Sequence, residues 1–298
     1  MKGSVELGAK SQENSLLQAL SSQLHAPCPS YNAPAVNLHL SIVIPAYNEA
    51  ANLQAGALDK VALYLQEQTY PYEVLVVDDG SSDNTAELAE AFCVKHPRFR
   101  VIRNSHRGKA FAVCTGLLHA CGEYVLFTDM DQATPIREAE KVLPWFEAGY
   151  DVVIGSRGTV RHNAPIWRKL MSRSQQLLRN WILGFREITD TQCGFKAFRH
   201  TAIKPILDHL YFFSMKTAKD TKGATVTAGF DVELLYVAQK LGYKIREVPV
   251  QWDYHFSRRV NLLRDSLKGI RELVDIRVAS ARGDYERRAG SAEPGAKR

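Results

Sequence analysis

No run of apolar residues in this 298-residue chain approaches the roughly 18 that a bilayer-spanning helix needs, so any membrane contact is expected to be peripheral. Residues 1–36 are polar and have no apolar h-region, so a secretory leader is not expected there. Cysteine is sparse. Cys28, Cys93, Cys114, Cys121 and Cys193 form no C-x-x-C pair and are odd in number, which argues against a disulfide frame or a zinc site and for free thiols in a reducing compartment. No internal repeat is present. Acid is missing where base is dense: Arg157, Arg161, Arg168, Lys169, Arg173, Arg179 and Arg186 follow one another with no Asp or Glu between them. A solvated helix face mixes signs, so a single-sign run suggests a site for an anion. The net charge of +6 alone would fit a nucleic-acid, membrane or phosphate partner equally well.

What is present is an alternation of short apolar runs and longer amphipathic stretches. Runs at 39–45, 73–78, 99–102, 123–128 and 151–155 read as buried strands. Stretches at 49–68, 84–95, 108–120 and 138–148 read as helices, with Asn48 as the cap of the first and Ser82 or Asp83 as the cap of the second. This order predicts an α/β fold with a Rossmann-like, doubly wound, mostly parallel sheet and flanking helices. Right-handed crossovers then collect every strand's carboxyl end on one edge. Farther on, 164–185 reads as amphipathic helix, 214–228 as a loop, 230–241 as a helix, 244–250 as a strand and 261–278 as a basic amphipathic helix. The expected organisation is a tail over 1–36 (Ser11–Leu24 able to form a short helix), one domain over 37–260, a basic helix over 261–281 and a tail over 282–298.

The predicted sheet edge carries the chemistry. The strand Val125-Leu126-Phe127-Thr128 ends in Asp129-Met130-Asp131. Two hard oxygen donors at a strand's carboxyl end suit Mg²⁺ or Mn²⁺, above all a metal that also holds substrate phosphates. Taken alone, Asp-x-Asp is equally a polar turn. Three further polar loops share the edge: Pro45-Ala46-Tyr47-Asn48-Glu49, Asp78-Asp79 and Gly155-Ser156-Arg157.

Together these loops resemble the inverting glycosyltransferases of family 2, which have the GT-A fold. The subgroup that transfers hexose to dolichyl or polyprenyl phosphate is the nearest likeness. The resemblance rests on SIVIPAYNEAANL (41–53), VLVVDDGSSDNT (74–85), NSHRGKAFAVCTGL (104–117), YVLFTDMDQATP (124–135), DVVIGSR (151–157), Asp190 with TQCGFKAF (191–198), GFDVELLYVAQKLGYKIREVPVQW (229–252) and SRR (257–259). It implies a donor nucleotide site at Pro45, Tyr47, Glu49, Asp79, Lys109 and Asp129, with Asp79 facing uracil or ribose. It implies metal ligation by Asp129 and Asp131. Mannosyl relatives carry a Gln two places after the second Asp; here that slot is Ala133, and Gln132 stands one place early.

For the acceptor, the resemblance implies a phosphate clamp at Arg157, Arg168 and Ser172, with a late basic residue at Arg258 or its neighbour Arg259. A phosphate oxygen is already anionic and needs cations instead of a general base. A sugar-hydroxyl acceptor would need a carboxylate base, for which Asp190, Asp231 and Glu233 are candidates; Asp231 could equally cap a helix starting near Val232. The reading is therefore a metal-dependent hexosyltransferase using UDP-glucose, or failing that GDP-mannose, with a polyprenyl phosphate acceptor. It would work at the cytoplasmic face of a membrane as a peripheral protein. Docking would use 167–185 and the basic helix 261–278. Homo-oligomerisation is left open. The competing readings are a family 2 enzyme acting on a sugar hydroxyl or soluble acceptor, and an anionic-surface or nucleic-acid binding module. The acidic rim counts against nucleic acid.

Overall fold

The structure, a computed structural model, describes residues 38–158, 176–185, 187–213, 228–253 and 262–285. Arg168, Ser172, Arg258 and Arg259, the expected N-terminal tail with its short helix, and almost all of the expected loop 214–228 lie outside the described residues.

The first half of the chain is built from four parallel strands. They are β1 (Leu40–Ala46), β2 (Tyr72–Asp78), β3 (Phe99–Arg103) and β4 (Tyr124–Phe127). Every residue of β1 and β4 is buried, which is why these runs are apolar apart from Ser41 and do not alternate with polar residues. The pleat still sorts them. Val43, Leu75, Val77, Val125 and Phe127 enter one core layer, and Leu40, Ile42, Ile44, Val74, Val76 and Leu126 enter the other. Helices α1 (Ala50–Gln54), α2 (Ala57–Gln66), α3 (Thr85–Lys95) and α4 (Lys109–His119) connect the strands. The single helix expected over 49–68 is broken in two because Gly56 takes a left-handed φ of 79°. Asn48 is not a helix cap. It is itself left-handed, φ 55°, and its side-chain oxygen accepts the Ser82 N–H at 2.8 Å. Asp83 is not the N-cap of α3 either, since Asn84 stands there, but its carboxylate accepts the N–H groups of Thr85 at 3.0 Å and Ala50 at 3.4 Å, the first residues of α3 and α1.

The sheet has seven strands among the described residues, in the order β3-β2-β1-β4-β6-β5-β7, where β5 is Val152–Ser156, β6 is Lys196–Arg199 and β7 is Ile245–Pro249. Strand β6 sits between β4 and β5 and runs antiparallel to both. The expected mostly parallel sheet is thus present with one reversed strand. That reversal decides the site: Lys196, the first residue of β6, pairs with Phe127, the last of β4. The turn preceding β6 is therefore delivered to the carboxyl edge.

Between β4 and β5, Ile136–Glu138 is a 3-10 turn leading into α5 (Ala139–Val142) and α6 (Pro144–Glu147). Residues 176–183 form α7, His200–His209 form α8, Ala228–Lys240 form α9 and Leu262–Ala281 form α10. Asp231 lies inside the first turn of α9, so it does not cap a helix starting near Val232. The expected tail from 282 begins as packed chain: Tyr285 is buried and its hydroxyl donates to Glu233 at 3.0 Å. Among the described residues no helix is long and apolar enough to cross a membrane.

Helix α4 lies very close to the sheet at Gly116. A Cβ there would overlap Val43 Cγ1 and stand 3.1 Å from Val77 Cγ2. Gly116→Ala should therefore cost about 1–3 kcal/mol through overpacking, despite alanine's better helix propensity. A melting temperature lowered by several degrees in a circular-dichroism melt is the expected result; an unchanged or higher one would contradict the packing argument.

Candidate active site

The loop after β1 carries Tyr47, Asn48 and Glu49. The N–H of Glu49 donates to Thr85 Oγ1 at 2.7 Å, tying this loop to the one after β2. Burial pushes the Glu49 carboxyl pKa upward. Asn52 and Lys109 pull it down, while Asp131 and Asp129 push it further up. Glu49, Asp129 and Asp131 are thus one electrostatic cluster at the carboxyl ends of β1 and β4. Pro45 is buried within β1, opposite Val77.

Asp79 is almost fully buried and bonds to its own protein. It accepts the N–H groups of Gly108 at 2.7 Å and Arg107 at 3.0 Å, and His106 Nδ1 lies 2.7 Å from its Oδ2. Its carboxylate fills the anion position at the N-terminus of α4. His106 in turn stacks on Tyr47, with ring centroids 3.9 Å apart and planes 6° from parallel. Asp79, His106 and Tyr47 thus form one connected set behind the loop after β1.

With the helix N-terminus already occupied, Lys109 turns to the carboxylates. Its ammonium is paired with Asp129. Burial works against the charged form, but Asp129, Asp231 and Asp131 outweigh it and hold the pKa above the ordinary lysine value. Asp131 Oδ1 accepts the Ala133 N–H at 3.0 Å. Gln132 is left-handed, φ 52°, and its side-chain amide donates to the Asp129 carbonyl at 2.9 Å. Its Oε1 is buried with no hydrogen-bond partner. Among the described residues no set of three or more His, Cys, Asp or Glu side chains is assembled around one point. Two partly exposed carboxylates on one strand end suit a hard divalent cation that takes its other ligands from water and from a substrate's phosphates.

Across β6, Arg157 is held by Asp190. Its Nε donates to Oδ2 at 2.7 Å, its terminal nitrogen to Oδ1 at 2.8 Å and its backbone N–H to Oδ2 at 3.1 Å. Its guanidinium also lies over the Trp252 ring at 5.7 Å. Burial acts to raise the Asp190 carboxyl, but the Arg157 hydrogen bonds and charge prevail and hold it below the ordinary range. Arg179, another cation of the acid-free run, donates to Thr191 Oγ1 at 3.0 Å and to the carbonyls of Ile188 and Thr189. Two members of that run, Arg157 and Arg179, are thus held in fixed positions by bonds within the protein.

Asp231 is paired with Lys196 at 2.5 Å. The Lys196 side chain has no exposed surface, its ammonium also donates to the Cys193 carbonyl at 2.5 Å, and it lies 5.2 Å from the centre of the Phe127 ring. Glu233 is not on the rim. It is wholly buried and accepts the N–H groups of Tyr211, Phe212 and Phe213 at 2.8, 3.0 and 3.1 Å. Burial pushes its pKa up. The sequence reading passed over His106, Gly194 and Lys196, although NSHRGKA and TQCGFKAF contain all three.

A sheet whose carboxyl edge gathers an acidic cluster beside a lysine and an arginine–aspartate pair defines a GT-A glycosyltransferase. Similar folds occur in glucosyl-3-phosphoglycerate synthase from Mycobacterium tuberculosis in complex with phosphoglyceric acid (TM-score 0.56, 22% identity, 85% of this chain and 85% of that one). They also occur in the mannosyltransferase PcManGT from Pyrobaculum calidifontis in complex with GDP-Man and Mn²⁺ (TM-score 0.54, 22% identity, 93% of this chain and 74% of that one). Residues 41–207 match the family described as Glycosyl transferase family 2, and the chain belongs to that family. It is 33% identical over 269 residues to the dolichyl-phosphate beta-glucosyltransferase of Saccharomyces cerevisiae, covering 83% of this chain and 77% of that protein.

The depressed Asp190 pKa gives a pH dependence. Its stabilising contribution is fully present above the unfolded carboxyl value of about 3.9 and disappears as pH falls through the folded one. Asp190→Asn should lower stability at pH 7 by about 1–3 kcal/mol, and the gap to the unsubstituted protein should close below about pH 4. Urea melts across pH 3–7 measure this; a gap that does not depend on pH would refute the assignment.

Proposed function

We propose that this family 2 enzyme transfers a hexose with inversion from a nucleoside diphosphate sugar to a polyprenyl phosphate, with UDP-glucose as the favoured donor and GDP-mannose the next. The observation that carries the reading is the pairing state of the rim. The two rim carboxylates that the sequence offers as general bases already face a cation, Asp190 facing Arg157 and Asp231 facing Lys196, and the third candidate, Glu233, is buried away from the rim. A sugar hydroxyl needs a carboxylate ready to take its proton. A phosphate acceptor does not, because its oxygen is already anionic. The name of the yeast relative supports the same acceptor chemistry.

In this reading Pro45, Tyr47 and Glu49 line the nucleotide site. Asp79 supports it from behind through His106. Asp129 and Asp131 would hold Mg²⁺ or Mn²⁺, whose chemistry there is neutralisation of the charge on the departing nucleoside diphosphate. Lys109 stands beside Asp129 and supplies a second positive charge to the diphosphate. Arg157, set by Asp190, belongs to the acceptor side with Arg168, Ser172 and Arg258. Asp231 closes the rim between the two halves. Residues 37–260 form the transferase domain, and the helix over 261–281 is an appendage packed on α9. The membrane is met peripherally, at its cytoplasmic face. Leu177 and Trp181 support this, since they lie four apart on α7 with 70% and 82% of their surfaces exposed, apolar side chains of the kind that enter an interface.

The test is a donor screen with UDP-glucose, GDP-mannose and UDP-N-acetylglucosamine, with and without EDTA. UDP release from UDP-glucose should depend on Mn²⁺ or Mg²⁺ and rise when polyprenyl phosphate is added. No stimulation by any lipid phosphate would overturn the acceptor. Arg168→Ala should lower transfer to lipid phosphate by about 100-fold or more while leaving donor hydrolysis near its original rate. For the docking surface, Trp181→Ala should reduce co-sedimentation with anionic phospholipid vesicles without altering UDP affinity; full retention of binding would remove α7 from the membrane contact.

A further inference from the structure

Strand β6 enters the sheet against the end of β4, so the turn at 190–195 crosses directly over the point where Asp129 leaves the strand. The crossing is closest at Gly194. A Cβ on that residue would lie 2.8 Å from Asp129 Oδ1 and 2.6 Å from Cγ, with Oδ2 nearer still. Real Cβ atoms essentially never approach another heavy atom within 3.0 Å. All three atoms of the carboxyl group are inside that limit, so turning one oxygen aside would not make room. Gly194 is not required by its backbone, because it is absent from the glycines with positive φ. It is required by the carboxylate.

Retreat on either side would break bonds that are in place. Asp129 is held by Lys109. The turn is pinned at one end by Asp190 to Arg157, and at the other by Lys196 to Asp231 and to the Cys193 carbonyl. We infer that Gly194 is a positioning residue of the donor site: its bare Cα is the seat on which the Asp129 carboxylate rests. A side chain at 194 unseats that carboxylate without touching the donor. The inference rests on the reading of Asp129 as a donor-site residue.

A double-mutant cycle tests it, with melting temperature and UDP affinity (calorimetry in Mn²⁺) as separate readouts. Gly194→Ala should lower the melting temperature by several degrees and weaken UDP binding about tenfold or more. Asp129→Ala removes the atoms that the new methyl would strike. Adding Gly194→Ala to Asp129→Ala should therefore change neither readout beyond about twofold in affinity and about one degree in melting temperature. Effects that multiply across the cycle would overturn the inference, as would a Gly194→Ala protein that binds UDP normally. If Gly194→Ala alone fails to fold, recovery of folding in the double variant supports the inference and failure of both variants overturns it. If the unsubstituted protein does not bind UDP, the proposed donor fails, while the melting-temperature cycle still decides whether Gly194 seats Asp129.

Discussion

A lysine ammonium with no exposed surface must be surrounded by acceptors, and Lys196 organises the rim through that requirement. Removing a charge from water costs several kcal/mol unless a counter-ion and hydrogen bonds replace the lost solvation. Lys196 gets both, from Asp231 on α9 and from the Cys193 carbonyl one turn back. The first partner locks a helix to the sheet. The second locks the turn at 190–195 over the end of β4. Because β6 runs against β4, Lys196 lies opposite the last residue of β4 and fixes the turn that crosses the carboxyl edge. Loss of one partner of such a pair leaves an uncompensated buried charge, typically at a cost of about 3–5 kcal/mol.

The rim above Lys196 is a set of matched charges, with Lys109 against Asp129 and Arg157 against Asp190. This pairing keeps four of the ionised groups oriented, and it leaves Glu49 and Asp131 as the carboxylates of the cluster that no lysine or arginine neutralises within ion-pair distance among the described residues. A site of this kind attracts a cation with its cargo. Asp190 and Asp231 are poorly suited to accept a proton from a neutral hydroxyl, because a carboxylate already paired with lysine or arginine is a weak base. Negative charge is thus concentrated at the end of β4, while Arg157 across β6 is preset by Asp190 and has no rotamer search left to make.

Much of the fold was legible because burial on both faces leaves an unmistakable imprint. The runs at Leu40–Ala46 and Tyr72–Asp78 are mostly apolar, with Ser41 and Glu73 the polar interruptions, and each leads into a polar loop. The candidate rim was legible for the same reason, since its polar loops fall where the buried strands end. What escaped notice was whatever depended on direction or partner. Nothing in the letters of Lys196–Arg199 states that the strand runs backwards. Asp78 and Asp79 are adjacent and chemically identical, yet only the fold decides that Asp79 turns inward to the N–H groups of Arg107 and Gly108. Asn48 looked like a helix cap because asparagine commonly is one; it also tolerates a left-handed backbone better than most residues, and the loop exploits that property.

By itself the sequence determined the alternation of strands and helices, the gathering of acids at one edge and the family to which the chain belongs. These follow from local burial and from short-range motifs, which involve neighbours a few residues apart. Tertiary structure alone decided which charge meets which. Asp129 and Lys109 are 20 residues apart, Arg157 and Asp190 are 33, and Lys196 and Asp231 are 35. Gly194 and Asp129 come together only because β6 is reversed. Ion pairs and steric contacts are set by distances in space, and the chain specifies those only after the hydrophobic layers have packed and brought its distant segments to one rim.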